Sequence, residues 1–110
     1  MSETAENRPV IDVELERVRR DIDAIDQEIL ELLSKRARHI VTVVGLKALD
    51  GRALRDPGRE ERILERISQR NQGPFPPESV RNVFRTIIDA SLDLEERLIQ
   101  AAGRRGRQAG

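Results

Sequence analysis

The sequence predicts an all-α protein of three helices, one long, one short and one medium, assembled as an oligomer. Three observations carry the helical expectation. Apolar residues recur in alternating steps of three and four, Gly and Pro punctuate that pattern near residues 51–58 and 73–77, and no segment alternates as a strand does.

The first helix is marked from Val13 onward by Leu15, Val18, Ile22, Ile25, Ile29 and Leu32, which form one seam. Nothing interrupts it before Asp50-Gly51. The expected helix is roughly 37 residues or about 55 Å long at 1.5 Å per residue, longer than a small globule is wide. Its stripe must therefore lie against another chain or against later segments folded back on it. The second helix starts in "LRDPGREERI", where Asp56 is a good N-cap, Pro57 suits the first helical position, and Ile63, Leu64 and Ile67 follow as an apolar face. It stops near "NQGPFPP". A third helix begins at Glu78 or Ser79, with Val80, Phe84, Ile87, Ile88, Leu94 and Leu98 as its core face. The ordered domain is expected over residues 12–101, with a flexible tail at 1–11 and a flexible basic tail at 102–110.

A single small domain of 110 residues buries little core by itself, so association is expected. The absence of cysteine excludes disulfides and thiol chemistry, and His39 alone is too little for an imidazole-built metal centre, so no metal and no cofactor is expected. No apolar run approaches the ~20 residues of a membrane span, and the N-terminus lacks the order of a secretory signal; the expected address is cytoplasmic. Twenty basic and 20 acidic residues, interspersed, argue against the one-sided field of a nucleic-acid binder. The closing "GRRGRQAG" reads as a solvated tail.

Some charges fall where the seam should be apolar. Continuing the count past Leu32 lands on Arg36, a costly position for a guanidinium unless it has a partner. Lys47 projects from the same face about three turns later. Arg19 flanks the seam about 42 Å upstream of Lys47, too far for one chain to bring them together. An antiparallel pair of long helices with its two-fold axis near Ile29 and Leu30 would set Arg19 of one chain beside Arg36 and Lys47 of the other, making two equivalent pockets. On the third helix Ser91 breaks the apolar stripe, and Glu95 follows one turn later on the same side. Asp56, Arg59 and Glu60 gather at a helix N-terminus, where N–H groups favour anions and carboxylates accept from hydroxyls. The sum is a polycationic pocket suited to a small dianion. For any one of these charges the bland reading is a snorkelling side chain or an internal ion pair, and for Ser91 a hydroxyl bonded to its own helix.

Several stretches in register, "VRRDIDAIDQEILELLSKRA", "LK" at Leu46 and Lys47, "RDPGRE" and "FRTIIDASLDLE", make the chain similar to the all-helical chorismate mutases over about residues 14–98. That resemblance implies an intertwined dimer of three-helix protomers that rearranges chorismate to prephenate with neither cofactor nor covalent intermediate. Arg19 resembles the arginine donated across the dimer to a substrate carboxylate, and Arg36 the one supplied by the protomer that owns the site. Lys47 corresponds to the lysine that bonds the breaking ether oxygen. Asp56, Arg59 and Glu60 match the segment that encloses the substrate, with Glu60 receiving its ring hydroxyl and Ser91 near it.

Two positions depart from the family pattern. A glycine often three residues before the lysine is Gly45, two before it, and the glutamine common one turn after the serine is Glu95, which must be protonated to donate. The departure at Glu95 keeps a 4-amino-4-deoxychorismate mutase as the nearest alternative, with an isochorismate pyruvate-lyase and a non-catalytic helical adaptor behind it. The tails suggest a free-standing protein, against a piece of a fusion with another shikimate-pathway enzyme.

Overall fold

The computed structural model describes residues 2–52 and 55–109, which form three helices, α1 (Ser2–Asp50), α2 (Pro57–Arg70) and α3 (Pro77–Ala109). Met1, Gly110 and the loop residues Ala53 and Leu54, the last being the start of the stretch singled out above, lie outside the described residues. Among the described residues there is no strand, and no helix is long and apolar enough to cross a membrane. Two compact units divide the chain, residues 1–36 and residues 37–110.

The first unit is the N-terminal part of α1. The helix begins at Ser2, well ahead of Val13, and contains Pro9. Apolar periodicity marks only the part of a helix that has something to bury, so helix-favouring residues such as Glu6 ahead of the seam leave no such mark. At the other end α3 likewise continues through residues 102–109. Both segments expected as tails thus carry helical backbone. The seam is real but uncovered within the chain, its six side chains ranging from 43% exposed at Val18 to 65% at Leu32. Local ion pairs run along this unit, including Arg17 with Glu14 at 2.9 Å and with Asp21 at 3.6 Å. Such exposed pairs contribute only about 0.3–0.5 kcal/mol each.

The second unit holds the end of α1 together with α2 and α3. Gly51, at φ 67°, takes the left-handed conformation that ends α1 and lets the Arg52 N–H donate to the Lys47 carbonyl at 3.1 Å. This closure fixes the turn that carries Lys47. α2 starts as the sequence indicates, with Pro57 at its first position and Asp56 Oδ1 accepting from the Arg59 N–H at 3.0 Å. After α2, Asn71 donates from Nδ2 to the Phe75 carbonyl at 2.7 Å, and its Oδ1 accepts from the Gly73 N–H at 3.1 Å. These bonds tie the short connection to α3, which packs on α2. Ile63, Leu64 and Ile88 form the core, with Ile67, Phe84 and Leu92 against them. All but Leu92 were expected on these faces.

Leu64 is 2% exposed, so Leu64→Ala removes the centre of this contact and leaves a cavity. Loss of about 2–5 kcal/mol is expected, read as a lower urea midpoint with an unchanged slope. An unmoved midpoint would mean that α2 against α3 is not what holds the unit together.

Candidate active site

Within residues 37–110, three elements bring together most of the side chains singled out in the sequence. Lys47 stands half-buried in the last turn of α1 and lines a cavity of about 490 Å³ with Val43, Leu46, Asp50 and Arg52. A smaller one of about 120 Å³ is lined by Arg55, Leu92, Glu95 and Glu96. Glu95 therefore sits on the inner face of α3, where its spacing from Ser91 put it.

Glu95 is the unusual group. It is 5% exposed, and its Oε2 has no hydrogen-bond partner. A buried carboxylate oxygen without a donor is costly, and in native proteins such atoms call for a specific explanation, a ligand contact among them. Burial pushes the Glu95 carboxyl above the ordinary carboxylate range; the Lys47 ammonium from α1 pulls it down, and the Glu60 carboxylate from α2 pushes it up. The competition that the sequence leaves open is decided here for burial. A Glu95 carrying its proton has an O–H to donate, as a glutamine would offer an N–H.

Glu60 is buried as well, 7% exposed, but fully partnered. Its Oε2 accepts from Arg55 Nε at 3.3 Å, and its Oε1 from Arg85 Nη1 at 3.4 Å and from Arg55 Nη2 at 3.5 Å. Arg85 also reaches Glu61 at 3.9 Å, and Glu61 accepts from Arg81 at 2.9 Å. Neither Arg55 nor Arg85 was singled out from the sequence. The Arg85 contact joins residues 25 apart, and no helical spacing announces a tertiary pair. Arg55 stands beside Asp56 in the loop, where a cation ahead of a helix carries no signal of its own.

The other predicted residues are less committed. Asp56 is occupied as the α2 cap, and Arg59 is exposed on the first turn of α2. Ser91 donates to the Ile87 carbonyl at 2.8 Å, the bland role foreseen for it. Arg19 and Arg36 belong to the first unit. There Arg19 is exposed, with Glu16 at 3.7 Å, and Arg36 is half-buried.

Comparison with known proteins places the chain in a family. The family model for chorismate mutase type II matches residues 18–96. The chain is 37% identical over 89 residues to a bifunctional chorismate mutase/prephenate dehydratase of Aquifex aeolicus (strain VF5), covering 77% of this chain and 25% of that protein. It is 42% identical over 80 residues to the bifunctional enzyme of the same name from Neisseria gonorrhoeae, covering 73% of this chain and 22% of that one. The chain thus spans about a quarter of the length of these curated relatives. Among solved structures, form II of the chorismate mutase of Thermus thermophilus superposes with a TM-score of 0.75 at 42% identity, over 76% of this chain and 96% of that one.

Proposed function

Because the chain belongs to the chorismate mutase type II family, we propose that it is an isomerase that rearranges chorismate to prephenate, acting as a homodimer in the cytoplasm as a step toward aromatic amino acids. The observation that carries the reading is the extent of the family match, residues 18–96, which encloses every site residue from Arg19 to Glu95. Its partners are then a small dianion and a second copy of the chain.

The rearrangement is unimolecular and needs neither nucleophile nor base. Catalysis comes from holding the substrate folded and from placing positive charge where negative charge grows on the enolpyruvyl ether oxygen. Arg36 and the second copy's Arg19 take the two carboxylates. The Lys47 ammonium donates to the ether oxygen, and the protonated Glu95 carboxyl donates beside it. Glu60 accepts from the ring hydroxyl, with Ser91 nearby, and Asp56 and Arg59 close that end from the start of α2. Loss of chorismate absorbance and appearance of prephenate on adding the purified protein test the reading directly. No turnover under any buffer condition would overturn it.

The raised Glu95 fixes the direction of the pH dependence. The protonated carboxyl is the donor, so kcat/KM is expected to be highest on the acid side and to fall as pH rises through a pKa above the ordinary carboxylate range. Glu95→Gln keeps the shape and supplies a permanent donor, so it should flatten that limb and raise activity near neutrality. Folding carries the same sign. The folded state holds this proton more tightly than the unfolded one, so the stability it contributes is present below the ordinary carboxylate pKa and is lost as pH rises through the raised one. Equilibrium unfolding of Glu95→Gln should lack that slope. A profile as flat for the original chain as for Glu95→Gln, with no gain at neutral pH, would remove Glu95 from the ether oxygen.

A further inference from the structure

We infer that Arg85 is a positioning and specificity-determining residue: it fixes the Glu60 carboxylate from α3 and, with Arg55, offsets its charge, so that this end of the pocket takes a neutral ring hydroxyl and repels an ammonium in its place. The inference rests on the reading of Glu60 as the acceptor for the ring substituent.

A lone buried carboxylate prefers a cationic donor to a neutral one, because a charge-assisted hydrogen bond is roughly twice as strong. Glu60 alone would therefore favour an amino-substituted substrate over a hydroxylated one. Two guanidiniums lie within hydrogen-bond distance of it, one from the loop and one from α3. With Glu61 and Arg81 included, three guanidiniums face two carboxylates. An ammonium at the ring end meets a carboxylate that already holds two guanidiniums; a hydroxyl meets an acceptor held in a fixed position.

Arg85 suits this task better than Arg55. Its side chain is 40% exposed against 65% for Arg55, and it projects from a helix rather than from a loop. Its fork spans Glu60 and Glu61, two consecutive residues of α2 that point in different directions, which fixes the guanidinium plane. As a mere tether it would duplicate a helix pair already joined by Leu64 and Ile88.

The test compares kcat/KM for chorismate with that for its analogue bearing an amino group in place of the ring hydroxyl. Arg85→Gln is expected to move the ratio about tenfold toward the amino analogue, mainly through KM, since one like charge a few Å from a ligand cation is worth that much or more. Arg55→Gln moves it the same way, which keeps the question answerable should Arg85→Gln fold poorly. Arg85→Lys restores the original preference, because it returns the charge. Glu61→Gln removes a carboxylate from the cluster while Arg55 and Arg85 stay on Glu60, so it moves the ratio the other way, toward chorismate. Chorismate turnover by the original chain with ratios unmoved in both Arg→Gln variants overturns this inference alone. Turnover of neither compound by the original chain overturns the preceding reading and this one with it.

Discussion

Lys47→Ala is expected to lower kcat for chorismate by about 10² to 10³ while changing KM far less, the range found when one donor to a developing oxyanion is removed. The argument begins with the reaction. A unimolecular rearrangement has no nucleophile to lose, so the largest single effect falls on whichever group gains most between ground and transition state. The ether oxygen is neutral in the substrate and partly anionic as its bond breaks, and an ammonium there strengthens its interaction as the reaction proceeds. Arginines on carboxylates that stay charged throughout would contribute to binding as well.

The backbone that carries this lysine is fixed by the end of α1. The left-handed Gly51 and the Arg52 N–H to Lys47 carbonyl bond close the helix on the residue that must be placed. Stability should change little, since the side chain is half-buried in a terminal turn. A second signature follows from Glu95. Lys47 lowers the Glu95 pKa, so its removal should shift the falling limb of the residual activity to higher pH. A large rise in KM with kcat unchanged, and the limb unmoved, would reduce Lys47 to a ground-state carboxylate ligand.

What could be read in advance follows a physical line. Asp50-Gly51 and Asp56-Pro57 announce a helix end and a helix start through local backbone chemistry, and both stand where the sequence puts them. Ile63, Leu64 and Ile88 were legible because apolar spacing on a helix is a local record of its buried face. The start of α1 at Ser2 was not, since a solvated helical stretch buries nothing and leaves no periodicity. At the site, the place of Glu95 followed from its spacing to Ser91, but the direction of its pKa shift did not. That depends on whether burial outweighs Lys47, a balance that exists only once the fold has buried the carboxyl. The guanidiniums on Glu60 were hidden for the same reason: residues 60 and 85 meet only after α2 and α3 have packed.

The seam of α1 supports the remaining prediction. Leu15, Val18, Ile22, Ile25, Ile29 and Leu32 are each 43–65% exposed in the single chain, a continuous apolar stripe of a kind that soluble proteins cover. A second copy would supply a matching stripe, and an antiparallel pairing is the arrangement that would bring Arg19 of one chain toward Arg36 of the other. If each site draws on both chains in this way, Arg19→Ala and Arg36→Ala homodimers should both be nearly inactive, because each loses a carboxylate clamp from both sites. Mixing folded homodimers without exchange should leave them so. Unfolding the two together and refolding them changes the outcome: a mixed dimer has one site that lacks both arginines and one that lacks neither. Random pairing makes half the dimers mixed, and half their sites intact, so an equal mixture should regain roughly a quarter of the original sites. The measurement is kcat/KM per total protein before and after co-refolding, with mixed dimers counted by native mass spectrometry of one isotope-labelled partner. Mixed dimers present in that proportion with no regained activity would mean that Arg19 and Arg36 do not meet across the interface, and that each chain builds its site from its own residues.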